Sequence, residues 1–207
     1  MQLCKDEERW RIDLIRHGEP VGGDRYRGDG VDDPLSERGW SQMWAAMPSQ
    51  VDWSRVVTSP LRRCLAFARA LAERHDLPVS VEPDLREVGF GAWEGLTKAQ
   101  IRSRWPGALR AFHADPLANR PEGAEPLEVF HARVTRAVES IWRAGDGPVL
   151  VVSHAGVLRA AAAMALELSP PSMYRLRIAY AGWARLRRDE RGTGLERWNA
   201  PTLEQAG

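Results

Sequence analysis

The sequence predicts a three-layer α/β/α protein with a mainly parallel central sheet, and three observations carry that prediction. Short β-rich runs alternate with amphipathic helical stretches along the chain, the order that builds a parallel sheet covered by helices on both faces. Two runs, Ile12-Asp13-Leu14-Ile15 and Val149-Leu150-Val151-Val152, are apolar enough to be buried central strands. Both stop at similar punctuation, the first at Arg16-His17-Gly18-Glu19 and the second at Ser153-His154-Ala155-Gly156. Ligands of open α/β sheets sit outside the carboxyl ends of the strands, so Arg16, His17 and His154 are expected at a crevice. With 207 residues, 43% of them hydrophobic, the chain fits a single domain over residues 1–207.

Taken in order, the first strand runs into residues 20–30, rich in Gly, Asp and Arg, a loop expected to overhang the crevice. Arg25, Tyr26 and Arg27 are its candidates for substrate contact. A helix is expected from Ser36 to Met47, stopped by Pro48. A second short strand lies within residues 51–58. There Ser59 is expected as N-cap and Pro60 as first residue of the next helix, with an apolar face at Leu61, Cys64, Leu65, Ala68, Leu71 and Ala72. Arg62 and Arg63 fall in that helix's first turn, beside backbone N–H groups expected to be free for an anion, and spacing alone does not choose between them.

A third strand is expected at residues 78–82, followed by a glycine-punctuated loop to Gly95 carrying Glu87 and Glu94. Residues 97–105 read as a helix, 108–113 as a short amphipathic stretch, 115–126 as a Pro-rich connection, and Glu125-Pro126 opens a long helix through Trp142 with Leu127, Phe130, Val134, Ala137, Val138 and Ile141 inward. After the apolar strand at 149–152, an Ala-rich helix is expected over 157–168. Residues 180–186 and 194–198 read as an antiparallel pair joined by a turn at 191–194.

A formal net charge of +1 gives no electrostatic case for nucleic acid or a membrane surface as the main partner. The nine tryptophans are spread through the expected elements, which favours packing over a stacking platform for single strands. Cys4 and Cys64 show no metal-type spacing. The polar opening Met1-Gln2-Leu3-Cys4-Lys5-Asp6-Glu7-Glu8 lacks the apolar core of a signal peptide, and no apolar run reaches the roughly 18 residues a membrane span requires. A soluble cytoplasmic protein is the resulting expectation, with a homodimer allowed but not required.

If the three strand ends share one edge, two imidazoles and at least two guanidiniums converge there, an arrangement that calls for an anion. The planar fork of arginine matches a phosphoryl group and stays charged. An imidazole can attack phosphorus and divide one hard displacement into two easier ones. The equatorial oxygens then need positive partners, and the leaving alcohol needs a proton that a carboxylic acid on an overhanging loop could supply.

Four segments in this order, Leu14-Ile15-Arg16-His17-Gly18-Glu19, Ser59-Pro60-Leu61-Arg62-Arg63, Leu85-Arg86-Glu87 with Phe90-Gly91 and Gly95, and Val152-Ser153-His154-Ala155-Gly156, resemble the signatures of the histidine phosphatase superfamily, in its phosphoglycerate-mutase-like branch. The resemblance spans residues 11 to about 160 and implies the phosphoglycerate-mutase-like fold. It implies His17 as the nucleophile that becomes phosphorylated, Arg16, Arg63 and His154 as holders of the phosphoryl oxygens, and Glu87 as proton donor. Arg63 is preferred to Arg62 on the family pattern, and Glu94 is left a supporting part. Glu19 and Ala155, in the two histidine segments, join Arg25 and Tyr26 as substrate-contact candidates. No metal or other cofactor is implied, and His75, His113 and His131 are expected to be structural or surface residues.

Within the superfamily the chain most resembles the α-ribazole-5′-phosphate phosphatases of cobalamin nucleotide-loop assembly, through Tyr26-Arg27-Gly28, residues 32–40 and Phe90-Gly91-Ala92-Trp93-Glu94-Gly95. The partner so implied is a small phosphomonoester, α-ribazole 5′-phosphate or its cobalamin-attached form. A broad-specificity or sugar-phosphate phosphatase like the fructose-2,6-bisphosphatase relatives is the first alternative. A phosphoglycerate mutase is disfavoured by Pro20-Val21-Gly22-Gly23 after the first motif. A non-catalytic scaffold is disfavoured by the presence of His17, Arg63 and Glu87.

Overall fold

The computed structural model describes residues 10–145 and 147–202; Met1 to Glu8, Cys4 among them, lie outside these. Six strands form one sheet: β1 (Arg11–Arg16), β2 (Arg55–Thr58), β3 (Val79–Val81), β4 (Val149–Ser153), β5 (Trp183–Asp189) and β6 (Gly192–Ala200). The helices are α1 (Glu37–Ala45), α2 (Arg62–His75), α3 (Lys98–Arg104), α4 (Ala108–Ala114), α5 (Leu127–Ala144) and α6 (Ala155–Ala165), with 3₁₀ turns at Pro83–Leu85, Gly91–Trp93 and Pro170–Arg175. No described helix is long and apolar enough to cross a membrane.

The strand order is β3-β2-β4-β1-β5-β6. The pairs β3–β2, β2–β4 and β4–β1 are parallel, whereas β5 and β6 add an antiparallel edge. Because β1 and β4 lie inside the sheet and are covered on both faces, they read as apolar runs in sequence. Alternate side chains serve opposite layers. Ile12, Leu14, Val149 and Val151 pack against Phe130, Val134 and Val138 of α5 and Leu158 and Ala161 of α6. Ile15, Val56, Leu150 and Val152 face Met43 of α1 and Cys64, Phe67 and Leu71 of α2. Asp13 points into this second layer, wholly buried, where Arg185 Nε (2.6 Å) and Trp53 Nε1 (2.8 Å) donate to its carboxylate. A third, smaller cluster of Trp93, Ile101, Leu109 and Phe112 sits under Tyr26, Phe90 and Tyr174 and walls one side of the crevice.

Several boundaries differ from the sequence expectation. Helix α2 starts at Arg62 with Leu61 as N-cap, two residues beyond the expected start, because the Ser59 hydroxyl is committed to His154 and to Leu61 N. Its inward face uses Phe67 in place of Leu65, which is only half-buried. Helix α6 begins at Ala155 and ends at Ala165 rather than covering 157–168. The β5–β6 turn falls at residues 190–191.

Candidate active site

The parallel register brings the strand ends together. Arg16 pairs with Ser153 and Thr58 with Val152, so His17, Ser59 and His154 emerge next to one another at one sheet edge. They lie at the floor of a crevice of about 1120 Å³ that Arg16, His17, Arg63, Glu87, Tyr174 and Tyr180 help to line.

His17 is 5% exposed, and its Nδ1 lies 2.7 Å from the carbonyl oxygen of Gly18. A carbonyl only accepts, so Nδ1 carries the proton and donates, which leaves the Nε2 lone pair free. Burial, and then the charges of Arg63 and Arg16, hold the His17 pKa well below the ordinary imidazole value, which favours the neutral ring. His154 meets it edge-on, with ring centroids 5.2 Å apart. It is fully buried behind His17, with Nε2 2.7 Å from Ser59 Oγ, and is likewise held neutral by burial and by Arg63.

Two arginines frame this pair. Arg16 Nη1 donates to Ile178 O at 2.7 Å and the guanidinium lies 4.0 Å from the Tyr180 ring centroid. Arg63, only 1% exposed, donates to Gly28 O (Nη2, 2.9 Å) and Val31 O (Nη1, 3.0 Å), so the overhanging loop is fastened to the arginine beneath it. The Nε atoms of both are buried without a hydrogen-bond partner. Donors buried in this way cost free energy until an acceptor meets them, and a tetrahedral anion would do so. Arg62 is exposed and outside the crevice lining. Of the N–H groups expected to receive an anion at the start of α2, that of Arg62 is taken, since Asp32 Oδ1 accepts from it at 2.7 Å.

Glu87 reaches the crevice from the loop after the Pro83–Leu85 turn. Its Oε1 accepts from Val88 N (3.0 Å) and from Gly156 N (3.1 Å) at the first turn of α6. A Cβ on Gly156 would stand 2.2 Å from that oxygen, so the glycine makes the approach possible. Behind the loop lies Arg133 of α5, 2% exposed. It donates to the carbonyls of Asp84 (2.6 Å), Arg86 (2.8 Å) and Glu87 (3.0 Å), and forms a two-point pair with Glu125 at 2.7 and 2.8 Å.

Among the remaining candidates, Arg25, Tyr26 and Ala155 line the crevice. Arg25 also donates to Gly22 O and Gly95 O, and Tyr26 packs on Phe90 and Trp93. Glu19 does not line it; its backbone takes Gln42 and Ser36, and its carboxylate lies 3.5 Å from Arg38. Arg27 also lines the crevice, as a buried loop strut to Asp33 and Val21 O. Glu94 ties the loops together by accepting from Gly30 N and Phe90 N. His113, expected among the structural or surface histidines, stands on the crevice wall. Sequence reasoning did not single out Arg159, Arg175, Arg177, Tyr174 or Tyr180 on that wall, or Arg133 behind it. Signals existed for two of them: Arg159 is one helical turn after Ala155, and Arg133 is a charge on the apolar face of α5. Among the described residues no group of three or more His, Cys, Asp or Glu side chains is placed to share a metal ion.

A family model of the histidine phosphatase superfamily (branch 1) matches residues 12–201. A bifunctional protein of Mycobacterium tuberculosis is 35% identical over 176 residues, covering 83% of this chain and 48% of that protein, so the chain spans about half the length of that relative. A glucosyl-3-phosphoglycerate phosphatase of the same organism is 36% identical over 173 residues, 76% of each chain. Among solved structures, the α-ribazole phosphatase of Shigella flexneri superposes with a TM-score of 0.82 at 26% identity, covering 95% of this chain and 100% of that one.

Proposed function

The chain belongs to branch 1 of the histidine phosphatase superfamily, and from that premise we propose that it hydrolyses phosphomonoesters through a phosphohistidine at His17, with no metal ion in the reaction. The observation that carries this reading is the neutral His17, with Nδ1 committed to Gly18 O and Nε2 free, set between two arginines whose Nε donors lack a partner. Nε2 attacks phosphorus in line, and the bond from phosphorus to the ester oxygen breaks. Arg16 and Arg63 hold the charge on the equatorial oxygens. The departing alkoxide takes the proton of the Glu87 carboxyl group. The Glu87 carboxylate then removes a proton from water as its oxygen attacks the phosphohistidine, and inorganic phosphate leaves with His17 neutral again. His154, for which the resemblance implies a hold on the phosphoryl oxygens, is wholly buried with Nε2 on Ser59 Oγ and is given instead the part of fixing the orientation of the ring that is phosphorylated.

For the substrate, α-ribazole 5′-phosphate or its cobalamin-attached form is supported by the likeness in fold to the Shigella flexneri enzyme and by a crevice large enough for a nucleotide-sized ligand. A glucosyl-phosphoglycerate-type substrate is the second reading, favoured by the 36% identity to the Mycobacterium tuberculosis phosphatase. The mechanism is tested by mixing ³²P-labelled substrate with enzyme in EDTA and quenching early. Wild type should carry an acid-labile, base-stable label and His17→Ala none, with turnover lower by three orders of magnitude or more. Full activity in His17→Ala ends the proposal; no turnover of any phosphomonoester by wild type leaves a binding protein.

A further inference from the structure

The crevice is larger than a phosphoryl group requires, and its charge is uneven. Beyond Arg16 and Arg63 its lining carries Arg25, Arg27, Lys98, Arg159, Arg175 and Arg177 against the carboxylates Asp24 and Glu87. Most of these are accounted for. Lys98 lies 3.4 Å from Asp24, Arg25 is tied to two backbone carbonyls, Arg27 to Asp33 and Val21 O, and Arg175 and Arg177 are exposed at the rim. Arg159 differs. It is half-buried inside the crevice, makes no hydrogen bond or ion pair among the described residues, and its Nε is buried without a partner.

Its position says which part of a substrate it would meet. Arg159 follows Ala155 by four residues, about 6 Å further along α6, and a helical side chain slants back toward the helix N-terminus. The guanidinium therefore slants back toward the start of α6, where Gly156 N donates to Glu87 Oε1, and Glu87 is the carboxylate whose charge acts on it most strongly. Glu87 is the proton donor in the proposed mechanism, so the space beside it belongs to the leaving alcohol. The phosphoryl oxygens already have the free Nε donors of Arg16 and Arg63.

Resting on the phosphatase reading above, and within it on the glucosyl-phosphoglycerate-type substrate rather than α-ribazole 5′-phosphate, which carries no carboxylate, we propose that Arg159 binds a second anionic group, a carboxylate, in the alcohol portion of the substrate, and so selects phosphomonoesters that carry one. An unpaired guanidinium matches a planar carboxylate through two parallel hydrogen bonds.

The test uses 3-phosphoglycerate and glycerol 3-phosphate, which differ in a carboxylate against a hydroxymethyl group, each measured as a substrate and as a competitive inhibitor of p-nitrophenyl phosphate hydrolysis. Wild type should favour the carboxylate compound ~10-fold or more. Arg159→Met should lower kcat/KM for it by ~10–100-fold, chiefly through KM, and change the glycerol compound and p-nitrophenyl phosphate less than about 3-fold. Arg159→Lys, which keeps the charge without the fork, should restore part of the preference. Equal losses on all three compounds would place Arg159 on the phosphoryl group and overturn the proposal. So would an unchanged ratio in Arg159→Met, or a wild type that neither prefers nor binds the carboxylate compound. The phosphatase reading fails separately, if His17→Ala keeps hydrolysing p-nitrophenyl phosphate.

Discussion

Arg133 stays out of the crevice, yet its guanidinium determines where Glu87 stands. Three of its donors satisfy the carbonyls of residues 84, 86 and 87, and the fork toward Glu125 stops it from turning away. A lysine there would keep the charge but could not reach a carboxylate and three carbonyls at once, leaving buried acceptors unpaired. Arg133→Lys should therefore lose about 3 kcal/mol of stability in urea unfolding. Its kcat should fall while KM is held, because Arg16 and Arg63 are untouched. A variant with wild-type kcat would remove Arg133 from any positioning role. Legibility at this scale was uneven. His17, Glu87 and Arg63 stand out by chemistry and by family pattern, whereas Arg133 acts through backbone atoms of a loop some 46 residues earlier in sequence, and no local pattern marks such a partner. The choice between Arg62 and Arg63, open on spacing alone, is decided by which side of the first helical turn faces the strand ends.

Elements β1 and β4 were legible because burial on both faces leaves a run of apolar residues, and α5 because its inward face repeats at helical spacing. The starts of α2 and α6 were not, because their first N–H groups are met by carboxylates far away in sequence, Asp32 and Glu87. The start of α6 is also where fold and chemistry share atoms. Replacing Gly156 with alanine favours the helix by up to about 1 kcal/mol. The new Cβ, however, would lie 2.2 Å from Glu87 Oε1 and 3.3 Å from Phe130 Cζ. The carboxylate is the flexible partner and would move. Gly156→Ala should thus unfold within about 1 kcal/mol of wild type but hydrolyse alkyl phosphates ~100-fold more slowly, with aryl phosphates, which need little help from an acid, affected far less. Glu87→Gln should show the same bias. An unchanged alkyl-to-aryl ratio in Gly156→Ala would mean that the Gly156–Glu87 contact does not position the acid.

For the molecule as a whole, alternation of strands and helices foretold a parallel sheet, but the strand order β3-β2-β4-β1-β5-β6 depends on which apolar runs meet, and that is set by long-range packing. Net charge was similarly silent on the site: a chain of formal charge +1 gathers its cations at one sheet edge. That gathering affects stability through two histidines. His17 and His154 are both held well below the ordinary value, by burial first and then by Arg63, and His131 is lowered to a lesser degree by partial burial. In the unfolded chain all three titrate near 6.5. Below that pH the unfolded chain takes up protons that folded His17 and His154 refuse, so stability is complete above about pH 7 and falls as the solution is acidified toward the depressed folded values. Each refused proton adds a slope of about 1.4 kcal/mol per pH unit. Urea unfolding of the ligand-free protein from pH 7 to 5.5, above most carboxylate titration, should therefore show stability declining with a slope that approaches two protons. His154→Asn should have a slope smaller by about one proton, whatever its absolute stability. A flat profile in wild type would show that the folded imidazoles take up protons as readily as the unfolded ones, so that burial and the arginines do not hold His17 neutral below about pH 6.5.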